Sequence, residues 1–155
     1  MALPPKSRSI LLLLLGCLSL YSRQAAGQTA LTVAAPPAAM MISTAVAGSQ
    51  PTAASVASTY QVQVKNVAGV KKITASLDAS MPTNTTLTMT MAAPSGATSA
   101  GPVVMSTTTT DMVVNIAGIN PASTQAITYA FSATVAAGVL TSQSRTITFT
   151  LANYP

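Results

Sequence analysis

Thr146-Ile147-Thr148-Phe149-Thr150-Leu151 alternates hydroxyl and apolar side chains for six residues without interruption. Successive side chains of a β-strand point to opposite faces, so this period of two describes a strand with one wet face and one buried face. The alternation recurs in Thr86-Leu87-Thr88-Met89-Thr90-Met91. It appears again in Tyr60, Val62 and Val64, and in Ile73, Ala75 and Leu77, each set separated by polar residues. It is longest over residues 127–135, where Ile127, Tyr129, Phe131, Ala133 and Val135 share one side. No helical period competes with it beyond the first 27 residues, so the chain is predicted to be all-β, with threonine on its outer faces.

Working outward, the breakers place the connections. Asn66-Val67-Ala68-Gly69 predicts a hairpin joining the strands on either side of it, and Met81-Pro82-Thr83-Asn84 is the next turn. The stretch from Ala93-Pro94 to Gly101-Pro102 is dense in breakers and reads as a long crossover between two sheets. Asn120-Pro121 turns the chain again, and residues 126–136 then form a closing hairpin with residues 146–151. Nearer the start, residues 28–33 alternate weakly before Pro36-Pro37 and read as an edge strand or a leader arm. Residues 40–46 predict a strand with Ile42 and Val46 inward, followed by a loop through Gly48-Ser49-Gln50-Pro51 and the small residues behind it. Seven to nine short strands at this spacing suit an antiparallel immunoglobulin-like β-sandwich, with a closed barrel as the alternative.

The first 27 residues follow another design. Lys6 and Arg8 precede an apolar run over residues 10–20, and small residues end at Gly27. That is the layout of a signal peptide cut after Gly27, and the run falls short of the about 20 residues that span a bilayer. Leu14-Leu15-Gly16-Cys17 offers the alternative of lipidation at Cys17. The expected organisation is a signal peptide over 1–27, an N-terminal arm and first strands over 28–56, and the main part of one sandwich domain over 57–155. The expected location is secreted, in the periplasm or on a bacterial cell surface, with no transmembrane span in the mature protein.

Of 155 residues, 49% are hydrophobic and 6% charged, against about 25% charged in an ordinary soluble domain. The formal charge of +5 shrinks once the first 27 residues are set aside. Lys65, Lys71, Lys72 and Arg145 then face Asp78 and Asp111, a net +2 with no basic cluster for nucleic acid. The chain has no histidine, and its single cysteine lies in the segment to be removed, so the usual acid–base and metal–hydroxide equipment is missing. Asp78 and Asp111 are the sole carboxylate side chains; they read as turn residues at strand ends, with a carboxylate pair as the alternative. The expectation is a non-enzyme with no catalytic residue and no cofactor.

Met89 and Met91 place two thioethers on one strand face, a soft set for Cu(I) to which Met40-Met41 would add. The same spacing is required if both enter the core beside Leu87. Lys71-Lys72 opens a strand after a turn, where cations keep sheet edges soluble. Asn84-Thr85-Thr86 matches an N-glycosylation acceptor.

Lys71-Lys72-Ile73-Thr74-Ala75-Ser76-Leu77-Asp78, Met81-Pro82, Thr85-Thr86-Leu87-Thr88 and Ala92-Ala93-Pro94-Ser95-Gly96-Ala97-Thr98-Ser99-Ala100-Gly101 resemble an uncharacterised family of exported bacterial β-sandwich proteins. The resemblance continues through Ile127-Thr128-Tyr129 and Arg145-Thr146-Ile147-Thr148-Phe149, and it implies a cell-envelope or extracellular setting. More distantly, the architecture and the penultimate Tyr154 are similar to chaperone–usher pilus subunits, which are sandwiches completed by a neighbour's N-terminal strand. Two departures from that pattern stand out: Tyr154 is out of phase with Ile147, Phe149 and Leu151, and the paired cysteines of many pilins are missing. The functional expectation is a structural or adhesive surface protein that self-associates or takes a partner protein by strand addition. The arm carrying Leu31 and Val33 is the candidate donor strand. The alternative is a small periplasmic binding module for Cu(I) or carbohydrate.

Overall fold

The computed structural model describes residues 29–35, 37–43, 49–65 and 69–155. The expectations for residues 1–27, including the cut after Gly27 and lipidation at Cys17, lie outside them. The strands form two antiparallel sheets. One holds five strands in the order β1 (Ala30–Val33), β2 (Ala54–Gln63), β8 (Ser123–Ala133), β4 (Thr85–Met91) and β6 (Val103–Val104). The other holds four in the order β5 (Thr98–Ser99), β7 (Thr110–Ile116), β3 (Lys71–Leu77) and β9 (Ile147–Asn153). Among the described residues no ladder joins the two sheets, so the all-β architecture is a sandwich and not a closed barrel.

Alternation fixes which side of each strand is buried. Tyr60, Val62 and Val64 from one sheet meet Ile73, Ala75 and Leu77 from the other, and Leu87, Met89, Met91, Ile127 and Tyr129 complete the interior. Tyr60 is 1% exposed, and its hydroxyl donates to the Ala92 carbonyl oxygen at 2.6 Å, which satisfies the one polar atom that this ring brings into the core. Burial pushes its phenol up to about 12 and raises that of Tyr129 as well. The outer threonines behave as expected. Thr148 and Thr150 are exposed, while Thr86, Thr88 and Thr90 are half-buried between neighbouring strands.

Pairing departs from the expectation. From β2 onward each successive strand lies in the opposite sheet, so the expected hairpins around residues 66–69 and between residues 126–136 and 146–151 do not form. β2 instead pairs with β1 and β8, and β3 with β7 and β9. A period of two assigns a face and carries no information about the neighbour, so a short turn between two alternating runs serves a sheet-to-sheet crossing as well as a hairpin. The stretch over residues 93–102 crosses to the other sheet, contributes β5 there and returns, so it joins β4 to β6 of the same sheet.

Three local readings are also corrected, and β7 adds an irregularity of its own. Residues 54–58, expected as loop, begin β2, because nine registered pairs with β8 outweigh the low strand preference of alanine and serine. Residues 40–43 form no strand, and the rest of the strand expected over 40–46, with Val46, lies outside the described residues. Val135 leaves the strand pattern and is exposed in a short 3-10 turn, Val135–Ala137. In β7 the strict alternation fails because the register with β3 slips, so that Met112 and Val113 are both fully buried; Asn115 nearby takes φ 59°.

Candidate functional site

The two sides of the sandwich differ in how their edges end. On one side the edges are β5 and β6, two residues each, too short to template another chain. On the other side are β1, with four residues, and β9, with seven. These two edges approach each other across the gap between the sheets. Neither β1 nor β9 carries a charged side chain.

The hydrogen-bond phase of β9 follows from its two ends. The Asp78 amide donates to the Thr146 carbonyl at 3.0 Å, and the Tyr154 amide donates to the Val70 carbonyl at 2.9 Å. In an antiparallel ladder, residues that exchange bonds with the partner alternate with residues that face away. Thr148, Thr150 and Ala152 therefore bond β3, while the backbone groups of Ile147, Phe149, Leu151 and Asn153 point to the open side. The same rule applies to β1. Ala34 donates to the Thr59 carbonyl, so Leu31 and Val33 present their backbone groups outward. The side chains of Ile147, Phe149, Leu151, Leu31 and Val33 turn inward but stay half-buried, and among the described residues no strand lies beyond β1 or β9.

Beside this open side lies an apolar cleft of about 1440 Å³. Val33, Met81, Leu87, Phe131, Ile147 and Phe149 contribute to its walls, and residues 37–43 and 138–146 also line it. Met41, Val135, Val139 and Leu140, four of the five most exposed large apolar side chains among the described residues, belong to the same lining. The cleft arises where the chain leaves β8 and crosses to β9 through the long connection over residues 134–146. Among the described residues Arg145 is the one charged residue of the lining. A second hollow of about 460 Å³ is shallow and polar, between Gln50, Asn84, Thr86 and Ser132.

The residues singled out from sequence are dispersed. Met89 and Met91 are fully buried in the core, where their thioethers are enclosed by apolar neighbours. Met40 is half-buried and Met41 is exposed at the cleft. Asp111 forms an ion pair with Lys72 at 3.0 Å. Asp78 stands opposite Thr146, and Asp111 opposite Thr74, four residues and roughly 13 Å along β3. The two carboxylates therefore do not form a pair. Lys71 and Lys72 open an interior strand and not an edge: Lys71 donates to the Asn153 side chain, and Lys72 meets Asp111. Asn84 sits exposed with φ 62°, and its amide donates to the Ala136 carbonyl. Leu31 and Val33 occupy the edge of their own sheet. Among the described residues no cluster of three or more acidic, histidine or cysteine side chains forms, and no helix is long and apolar enough to cross a membrane.

Fold and site together define an antiparallel β-sandwich whose one side is edged by the two-residue strands β5 and β6 and whose other side is edged by β1 and β9. Comparison of the chain with protein-family models, with curated proteins and with solved structures gives no match.

Proposed function

We propose that this protein is a secreted structural or adhesive surface protein that works through the open side of its sandwich, pairing the β1 and β9 edges with strands of a neighbouring subunit. The observation that carries the reading is the contrast between the two sides: two-residue edges close one, while a neutral seven-residue edge with outward backbone groups and half-buried inward side chains is left on the other. An added strand satisfies those backbone groups and covers Ile147, Phe149 and Leu151 in a single step. Native edges are ordinarily blunted by lysine, proline or brevity, and β9 uses none of these. The N-terminal signal pattern of the sequence points the same way. The chain would leave the cytoplasm and act as a non-enzyme, without a cofactor.

The arm is the component to remove first. Deleting residues 28–33 from the mature chain is expected to shift the assembled species seen by sedimentation velocity and negative-stain microscopy to smaller ones. An unchanged size distribution would exclude the arm from the contact.

A further inference from the structure

We propose that the cleft beside β9 binds a single-tailed amphipathic anion, a long-chain alkyl carboxylate, with the tail between the sheets and the carboxylate on Arg145. The site shares Ile147 and Phe149 with the face that an added strand would cover, so it is tested on the separated subunit. Three observations carry it. The first is the lining: the half-open cleft of about 1440 Å³ has room for a long chain, and its walls at Met81, Phe131, Ile147 and Phe149 are apolar. The second is exposure. Met41, Val135, Val139 and Leu140 are 78%, 64%, 102% and 38% exposed and all line the same cleft, a concentration that scattered surface residues do not produce.

The third is charge. Among the described residues Arg145 is the one ionic group of the lining, which has no carboxylate. Its Nε donates to the Ser80 carbonyl at 3.0 Å, one terminal nitrogen to the Ser144 carbonyl at 2.8 Å, and the other to the Gln143 side-chain oxygen at 2.7 Å. All three acceptors are neutral. Asp78 stands nearby across the ladder, yet its carboxylate is outside ion-pair distance of the guanidinium. A guanidinium has five N–H groups, so two remain for an anion, while the three existing bonds hold the side chain at the cleft. An uncharged tail would fill the walls equally well but leave this charge without a partner, which is why the occupant is assigned as an anion.

The test is titration of the mature chain with dodecanoate below its micellar concentration, followed by methionine-methyl NMR and calorimetry. Met40, Met41 and Met81 line the cleft, whereas Met89, Met91 and Met112 are sealed in the core and serve as internal controls. Saturable shifts confined to the first three are expected. Arg145→Gln should weaken dodecanoate about tenfold or more, as removal of a charge-assisted pair does, and leave dodecanol binding unchanged. Three results would each overturn the proposal: no saturable shift, equal affinity of wild type and Arg145→Gln for dodecanoate, or concentration-dependent shifts of the same methyls without ligand, which would assign the cleft to a second copy of the chain.

Discussion

Tyr60→Ala is expected to lower the unfolding free energy by about 3–5 kcal/mol, the range for removing a large aromatic ring from a packed core. The ring is 1% exposed and lies in the strand that links β1 to β8, so the hole cannot be filled by solvent or by the collapse of an edge. Domains of this kind have roughly 5–15 kcal/mol in total, which makes the loss a large fraction of what holds the sandwich together. Tyr60→Phe keeps the ring and removes only the bond to Ala92, at a cost of about 1–2 kcal/mol. The two variants also differ from wild type in alkali. The phenol titrates at 10.0 in the unfolded chain and at about 12 when folded, so the folded state holds its proton more tightly. That contribution is fully present below pH 10 and is lost as pH rises through about 12, a loss of order 2 kcal/mol. Tyr129 acts in the same direction. Urea unfolding across this range should show a shallower alkaline decline for Tyr60→Phe than for wild type. Parallel declines would remove the buried phenol from the account.

Replacing both Thr148 and Thr150 by lysine is expected to abolish assembly while leaving the subunit folded. Both side chains are exposed on the outer face of β9, so their replacement should change stability by no more than about 0.5 kcal/mol. Their backbone groups bond β3, and that ladder is untouched by the change. Two hydrated cations beside an edge without charge reproduce the device by which natural sheets refuse a neighbour. Sedimentation of the double variant should show one small species at concentrations where wild type assembles, with an unchanged melting temperature. Assembly at wild-type levels would mean that β9 is not the contact; a lowered melting temperature would mean that the variant reports on folding instead.

Much of the sandwich is legible in the alternation itself. Thr86 to Met91 and the run after Thr59 bury the side chains that a period of two assigns to the core, with Met89 and Met91 inward beside Leu87, and Thr146 to Leu151 turns its apolar side chains inward to half-buried positions. What the pattern leaves open is partnership. β8 and β9 are consecutive and strongly alternating, yet they lie in different sheets, because both sheets require an inward apolar row and the connection between them is long enough to cross. Residues 54–58 carry no local strand signal, and their pairing is set by β8, more than sixty residues away. The cleft is the least legible part. Its residues come from β1, β4, β8 and β9 and from three connections, so no window of sequence contains it. The signals that mark it are Val139 and Leu140, apolar residues in a connection, and Arg145, a cation just ahead of a neutral strand.

Hydrogen exchange along β9 tests the open-edge account most directly. In the separated subunit, the amides of Thr148, Thr150 and Ala152 should be protected by β3, while those of Ile147, Phe149, Leu151 and Asn153 exchange freely. In the assembled protein all seven should be protected, because the second set has gained a partner strand. If Ile147, Phe149, Leu151 and Asn153 exchange as fast in the assembly as in the subunit, the edge is not where this protein makes its contacts.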